Sequence, residues 1–314
     1  MARALSASTR SDASLASIGH LAHQHDKLSY MGQHYTNDLE SLRTWVGRSR
    51  RQIELVSPSW CNRLGATLDH NTELSIGDPL PPLWHFITHP PCTKTSDLDE
   101  DGHLKRGDFL PPVALPSRMW AGSRFQFHGD IRVGDDVDKR STIGDVKMKS
   151  GRSGALCFVT VKHELSVSGV VRIVEEQDLV FLEATAPSSP TPTLQPAPAN
   201  AEFSRIIEPS EVMLFRYSAL TFNSHRIHYD RDYVRDVEGY RALVVHGPLI
   251  ATLLADLVVT ETREQLASFA FTAKAPLFDD ARFTIAGKRN GENIDVWAQT
   301  TEGDLAMSAT ATVR

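Results

Sequence analysis

A polar segment in the second half of the chain places four residues that could carry chemistry within six positions of one another. They are Asn223, His225, Arg226 and His228, and they follow a stretch with the apolar spacing of an amphipathic helix. Because an imidazole titrates near neutral pH, a histidine there could act as a general base. The simpler alternative is a loop whose histidines bond to the backbone. His225 and His228 could also form half of a metal site, but the sequence offers no convincing third ligand.

A second candidate lies where a long apolar stretch begins. His246 and Gly247 precede Pro248, and proline is favoured in the first turn of a helix. The first N–H groups of a helix have no intrahelical acceptor and lie at the positive end of its dipole. The segment is therefore a candidate site for binding a developing oxyanion, with an ordinary helix start as the alternative.

Together the two segments resemble the MaoC-like, or (R)-specific, enoyl-thioester hydratase family, which has the hot-dog fold. Its signature reads aromatic-Ser-x-Leu-Ser/Thr-Gly-Asp-x-Asn-Pro-hydrophobic-His. Residues 217–228 read Tyr-Ser-Ala-Leu-Thr-Phe-Asn-Ser-His-Arg-Ile-His. The family histidine falls on His228, and the family aspartate falls on Asn223, which is a departure. The His-Gly pair that opens the family's central helix falls on His246 and Gly247.

The first half extends the resemblance through Trp84, the segment Arg118–Gly122 and the segment Arg132–Asp135. These features look like the long members with two hot-dog units, a group that includes mesaconyl-C4-CoA hydratase and mitochondrial hydroxyacyl-thioester dehydratases. The resemblance implies a hydro-lyase that reversibly hydrates an α,β-unsaturated acyl-CoA, of a short branched dicarboxylic type such as mesaconyl-C4-CoA or itaconyl-CoA. The alternatives are a 3-hydroxyacyl-thioester dehydratase of fatty-acid synthesis, a hot-dog acyl-CoA thioesterase and a non-catalytic acyl-binding module.

The resemblance also implies roles for the site residues. His228 is the expected base that activates water, the Asn223 amide holds that water, and the Gly247 N–H binds the thioester oxygen. Asn223 cannot donate a carboxylic proton, so the donor to the α-carbon stays open between His228 and a second water. No metal and no redox cofactor are implied, since coenzyme A is part of the substrate. Further substrate contacts are expected from three groups: His225, Arg226 and His246; Arg118 and Arg124 for a free carboxylate; Arg231, Arg235 and Arg241 for the coenzyme A phosphates.

The implied fold class is α+β, a tandem double hot-dog in which two antiparallel sheets each wrap around a central helix. The uncharged, proline-rich stretch 184–201 reads as an extended linker between the halves. The first half lacks an equivalent of the Asn–His run, so we expect it to be degenerate and only to wall the acyl tunnel, with all catalytic residues in the second half. The predicted organisation is a tail over 1–30, a first hot-dog domain over 31–185, a linker over 186–200 and a catalytic domain over 201–314.

Spacing and capping residues predict the elements around the site. A short motif also repeats, because Phe125-x-Phe127 before Asp135 matches Phe269-x-Phe271 before Asp279 with the same internal spacing. The predicted helices are Asp38–Val46, Pro58–Leu68, a helix capped by Ser210 that runs to Leu220, and one that starts at Pro248, with a polar loop over Thr221–Asp230. In the first half, alternation predicts strands around Phe125–Phe127 and Val159–Val161, and a short apolar run predicts one at Val180–Leu182. The predicted strands of the second half are Leu266–Lys274, Ala281–Arg289, Ile294–Thr300 and Leu305–Val313.

Composition excludes several classes of protein. Lys and Arg number 33 against 39 Asp and Glu, a formal net charge of −6 that argues against general nucleic-acid binding. Three cysteines without a CxxC pair favour a reducing, cytoplasmic compartment. The most apolar stretch, Ala242–Val259, is too short and interrupted to span a membrane. Residues 1–25 have a transit-peptide-like composition, so a mitochondrial location is the alternative. We expect an acyl-CoA substrate as the partner, and a homodimer is compatible with the fold.

Overall fold

The computed structural model describes residues 36–314 except 72, 152–153 and 184–193. The predicted tail and most of the predicted linker therefore lie outside the described residues, and the domain boundaries stay a prediction. Within the described residues, no helix is long and apolar enough to cross a membrane. The strands are β1 (Ser49–Leu55), β2 (Ser117–Phe127), β3 (Asp136–Gly151), β4 (Gly154–Val167), β5 (Val170–Leu182), β6 (Phe203–Ile207), β7 (Leu266–Ala273), β8 (Phe283–Asn290), β9 (Asn293–Gln299) and β10 (Leu305–Val313). The α-helices are α1 (Leu39–Arg43), α2 (Pro58–Thr67), α3 (Glu211–Thr221), α4 (Arg231–Asp236) and α5 (Gly247–Thr262).

The strands form one ten-stranded sheet in the order β1-β3-β4-β5-β2-β7-β10-β9-β8-β6. The five strands of each half have the same order, and the two halves join where β2 pairs antiparallel with β7. Phe125 lies directly opposite Phe269 in this pair, and these are equivalent residues of the repeated sequence motif. An antiparallel pair of equivalent strands has a local two-fold axis, and here that axis passes between the two phenylalanines. The weak sequence repeat is therefore a structural repeat.

Helix α5 covers the inner face of the second half. Its apolar residues include Leu249, Leu254 and Val258, which have essentially no solvent exposure, and it packs against all five strands β6–β10. The helix is apolar on nearly all sides because sheet and neighbouring elements surround it. This long buried helix fixes the position of its own N-terminus, where Gly247 begins the first turn.

The first half differs because it lacks a central helix of this length in its described residues. The connection from β1 to β2 contains α2 and a four-residue 3-10 helix, Trp84–Ile87, and the buried Trp84 indole packs into the shared core. Among the described residues, a central helix is thus present only in the second half, whereas the sequence predicted one in each half. The physical reason is the proline content of the connection: Pro79, Pro81, Pro82, Pro90 and Pro91 would remove helix hydrogen bonds and clash with the preceding turn.

The inner face of the first half contains a row of polar residues. Glu175 pairs across the strands with Phe125 on one side and with His163 on the other, and His163 pairs with Ser141. Directly paired residues point to the same face, so these three polar side chains share the face of Phe125. Glu175 is 2% exposed, and burial raises its pKa to about 7. In the second half, Ala311 stands at the position of Glu175 and Ile294 at that of His163.

Candidate active site

The polar segment after α3 turns sharply and buries His228. Helix α3 ends at Thr221, and Phe222 adopts a left-handed conformation with φ of 50°. The Asn223 side-chain oxygen then accepts a hydrogen bond from the backbone N–H of His225 at 3.0 Å. This Asx turn leads into a 3-10 helix, Arg226–His228. The turn therefore uses the Asn223 oxygen to shape the loop, and His228 comes to lie 7% exposed beneath it.

The ring nitrogens of His228 have distinct roles. Nδ1 lies 2.7 Å from the backbone oxygen of Val244. A carbonyl oxygen only accepts, so Nδ1 carries the proton and Nε2 has a free lone pair in the neutral ring. Burial lowers the pKa of His228 to about 4, partly offset by the bond to Val244, and His103 lowers it further. His228 is therefore neutral near pH 7 and has the tautomer that a general base requires.

His228 stacks on His246, which immediately precedes α5. The ring centroids are 3.7 Å apart, with 18° between the planes. His246 is 0% exposed, and its Nε2 is hydrogen-bonded to Ser218 Oγ at 2.8 Å. The stack brings together the two segments that the sequence singled out. Because His246 offers no surface in this structure, we expect it to position His228 rather than to contact substrate directly.

The start of α5 beside this stack is open. The residue before the helix, His246, makes no side-chain hydrogen bond to the first turn, so the N–H groups there lack the usual side-chain cap. A Cβ added at Gly247 would have no neighbour within 4 Å. There is consequently free space at the positive end of the helix dipole, where an oxyanion is stabilised.

A loop of the first half reaches the site, which the sequence analysis did not predict. Gly102 accepts a hydrogen bond from Ser224 Oγ through its carbonyl at 2.6 Å, and Asp101 accepts one from the Arg226 backbone N–H at 2.8 Å. The loop thereby places His103 against His225, with ring centroids 3.8 Å apart. The sequence Asp101-Gly102-His103 is typical of a turn that places a carboxylate near an imidazole. Nothing in the sequence indicated that this turn would contact the segment around His225.

Asp101, His103 and His225 also place possible ligand atoms within 4.8 Å of one another. The rings of His103 and His225 lie against each other, with centroids 3.8 Å apart and 35° between the planes. His103 Nδ1 is already hydrogen-bonded to Asp101 Oδ2 at 2.8 Å. The arrangement fits a carboxylate–imidazole pair better than a metal site.

Arg118 is a half-buried cation near these residues. Burial lowers its pKa to about 10, while the charge of Asp101 opposes that change. In the described part of the chain, no carboxylate lies within 4.0 Å of its guanidinium, although buried charges are normally paired. Arg118 is thus a cation near the candidate site that lacks a close anionic partner.

The other predicted cations all have carboxylate partners. Arg226 pairs with Asp230 and lies over the Tyr233 ring. Four further arginines form ion pairs of their own: Arg124 with Asp178 and Glu176, Arg231 with Asp279 and Glu211, Arg235 with Asp232 and Asp236, and Arg241 with Asp280. The structure therefore brings Asn223, His225, His228, His246 and Gly247 together, while the charges of these four arginines are already balanced by carboxylates.

Comparison with known proteins agrees with this geometry. A family model described as hydroxyacyl-thioester dehydratase type 2 matches residues 83–279. Mesaconyl-C(4)-CoA hydratase of Chloroflexus aurantiacus is 43% identical over 268 residues, which cover 85% of this chain and 95% of that protein.

Solved structures agree on the fold. A MaoC-like dehydratase from Phytophthora capsici matches with a TM-score of 0.66 and 10% identity, covering 88% of this chain and 98% of that one. A conserved hypothetical protein of Mycobacterium tuberculosis that has a double hotdog fold matches with a TM-score of 0.51 and 12% identity, covering 85% and 96%. The predicted double hot-dog fold is confirmed, and the chain belongs to the hydroxyacyl-thioester dehydratase type 2 family of hydro-lyases, with the MaoC-like fold.

Proposed function

We propose that this hydro-lyase reversibly hydrates a short branched dicarboxylic enoyl-CoA of the mesaconyl-C4-CoA type. The observation that carries the proposal is the buried, neutral His228, whose Nε2 lone pair is free beside the open start of α5. The 43% identity to a mesaconyl-C(4)-CoA hydratase supports the substrate class. That identity spans both halves of the chain.

The proposed reaction uses His228 as the base. Its Nε2 takes a proton from water while the water oxygen bonds to the β-carbon of the enoyl thioester. The Asn223 side-chain amide group holds that water, while its oxygen maintains the turn at His225. Charge then develops on the thioester oxygen, which the Gly247 N–H stabilises at the start of α5. One such donor is typically worth about 2.7–4 kcal/mol of transition-state stabilisation.

The free carboxylate of the acyl group is proposed to bind Arg118. In a dicarboxylic enoyl thioester this carboxylate lies next to the reacting carbons, so its receptor must be near His228. Arg118 acts electrostatically on both His103 and His225, and a planar guanidinium binds a carboxylate through two parallel hydrogen bonds. A substrate carboxylate would supply the close anionic partner that this cation lacks.

The polar inner face of the first half supports a short acyl group. Ser141, His163 and Glu175 lie there in a buried row. The proposal places the acyl group against this row, where a long alkyl chain would leave buried polar groups facing hydrocarbon, which is costly. A long-chain 3-hydroxyacyl-thioester is therefore the less favoured substrate.

A panel of enoyl-CoAs followed by loss of enoyl-thioester absorbance tests the proposal. Mesaconyl-C4-CoA should be hydrated with a higher kcat/KM than crotonyl-CoA or a long-chain enoyl-CoA. Release of free thiol without hydration would instead identify a thioesterase. A preference for long-chain substrates would contradict the assignment of Arg118 and the polar row.

We also propose that the reaction needs no metal or redox cofactor, since proton transfer and oxyanion binding suffice for hydration. Activity should survive dialysis against a chelator without change. A homodimer and a cytoplasmic location also remain proposals.

A further inference from the structure

The residue that protonates the α-carbon of the substrate is not identified by the family signature. The family aspartate, which could exchange a proton with the substrate, is replaced by Asn223. An amide cannot take up or release a proton near neutral pH, so protonation of the α-carbon falls to His228 itself, to a water or to another side chain near the site. The Asp101–Gly102–His103 turn of the first half supplies a carboxylate and an imidazole beside His225.

The hydrogen bonds of the turn define the state of its side chains. Asp101 accepts hydrogen bonds from both the backbone N–H and the Nδ1 of His103, each at 2.8 Å. Although burial opposes ionisation of Asp101, these bonds hold its pKa well below the usual range. Nδ1 of His103 therefore carries the proton, and Nε2 has the free lone pair. A carboxylate behind an imidazole in this way orients the ring and stabilises the imidazolium when it forms.

The turn is held in place by the second half. A Cβ on Gly102 would lie 1.8 Å from the backbone oxygen of Ser224, and Gly102 has φ of +85°. Only glycine fits this approach. Arg226 donates from its backbone N–H to the backbone carbonyl oxygen of Asp101, and from its side chain to the backbone carbonyl oxygen of Glu100. The turn contributes only backbone oxygens to these contacts. The Asp101 and His103 side chains are therefore free for another role.

We propose that the Asp101–His103 pair completes the active site as its second proton-transfer group. His103 is the catalytic residue and Asp101 is the positioning residue that stabilises its imidazolium. The inference rests on the proposed hydratase function. It places one of the two proton-transfer residues in the first half of the chain, where the sequence analysis predicted no catalytic residue.

The proposed reaction moves one proton from water to the α-carbon, with both imidazoles returned to their starting state. His228 takes a proton from water as the oxygen bonds to the β-carbon, and the electron pair of the double bond moves toward the α-carbon and the thioester oxygen. The proton passes through pocket water to Nε2 of His103, where Asp101 balances its charge, and His103 delivers it to the α-carbon. One O–H bond has been exchanged for one C–H bond, and both imidazoles are neutral before and after the cycle.

The first experiment measures kcat and KM of His103→Ala on the enoyl-CoA that the wild type prefers. We expect kcat to fall by about 10²–10⁴-fold, the usual contribution of acid–base catalysis, with KM little changed. In the dehydration direction, an α-deuterated hydroxyacyl-CoA should show a larger isotope effect in this variant than in the wild type. The matched control is His70→Ala, which removes a different imidazole–carboxylate contact, 3.3 Å to Asp256, and should keep kcat.

The second experiment separates the positioning role. Asp101→Asn should lower kcat and shift the acid limb of the pH profile downward by about 1–3 units, because an opposite charge within a few ångströms raises an imidazole pKa by that amount. Besides burial, Arg118 and Arg106 also lower the pKa of His103, and the neighbouring His225 ring is unchanged in this variant. Asp97→Asn removes an exposed carboxylate from the same loop and should leave the profile unchanged.

A third variant tests the docking of the turn. Gly102→Ala should separate it from Ser224 and lower kcat as His103→Ala does. Gly77→Ala, at another positive-φ glycine with no neighbour within 4 Å, controls for backbone strain. Full activity of folded His103→Ala and Asp101→Asn, or losses confined to KM, would overturn the inference while leaving the hydratase function intact. Inactivity of the wild type on every enoyl-CoA would overturn both.

Discussion

At the scale of single residues, the site depends on which imidazole nitrogens carry protons. His228 and His103 each donate from Nδ1, one to the Val244 carbonyl and the other to Asp101. Both rings consequently have a free Nε2 lone pair. The sequence singled out His228 as a candidate because its position relative to Asn223 matches the family signature. It could not reveal the tautomer, which depends on Val244, a residue 16 positions away.

The departure at Asn223 leads to a prediction at this scale. If its amide holds the attacking water, Asn223→Asp should keep much of the hydration rate because a carboxylate can also bind water. Asn223→Leu should lose most of it, since an apolar side chain can neither hold water nor accept the bond from His225. Hydration rates of the two variants, with melting temperatures as a control for folding, measure the difference. Equal rates near that of the wild type would remove Asn223 from the site.

The buried histidines lead to a prediction about stability and pH. Burial lowers the pKa of His85 to about 3 and those of His89 and His228 to about 4, against about 6.5 in an unfolded chain. Between these values the unfolded chain binds protons that the folded chain does not, so stability should fall as pH is lowered from 6.5 toward 4. Glu175, with a pKa of about 7, acts in the opposite direction.

Melting temperatures at pH 7, 6 and 5 would measure this balance. We expect a steady decrease, because three histidines outweigh one carboxyl group. A melting temperature that rises toward pH 5 would mean that the three rings are not buried in the neutral form.

At the scale of elements, helix caps and regular alternation could be predicted from the sequence, but contacts between loops far apart in the chain could not. The helix capped by Ser210 was predicted because the cap is local, and Ser210 Oγ accepts from the Met213 N–H as expected. Strands β1, β3 and β6 were not predicted. In β3 the alternate positions Val137, Lys139 and Ser141 mix apolar with polar residues, so this strand lacks a clear hydrophobic alternation. The docking of Gly102 on Ser224 spans 122 positions and has no local signal.

The start of α5 leads to a prediction at this scale. Gly247→Pro removes one N–H while keeping the helix, since proline is tolerated at the first helical position and the preceding His246 already has the extended conformation that proline requires. We expect kcat to fall by about 10²–10³-fold, the usual cost of losing one oxyanion donor. Gly247→Ala retains the N–H and should lose less. A folded Gly247→Pro variant with full activity would exclude this N–H as the donor.

At the scale of the whole molecule, neither half is complete. The second half supplies His228 and α5, while the first half supplies β2, which covers the edge of β7 over Gly122–Gln126. An uncovered strand edge invites aggregation. Residues 202–314 expressed alone should therefore be insoluble or inactive, and adding residues 1–185 in trans should restore some activity. A soluble second half with the activity of the full chain would contradict this dependence.

The central claim is that His228 is the base of a hydratase, and the most direct test is the kcat of His228→Ala on the preferred enoyl-CoA, followed by enoyl-thioester absorbance. The account predicts a fall of about 10²–10⁴-fold in kcat in a protein that still folds, as judged by its circular dichroism. A folded His228→Ala protein that hydrates its substrate at the wild-type rate would contradict the account.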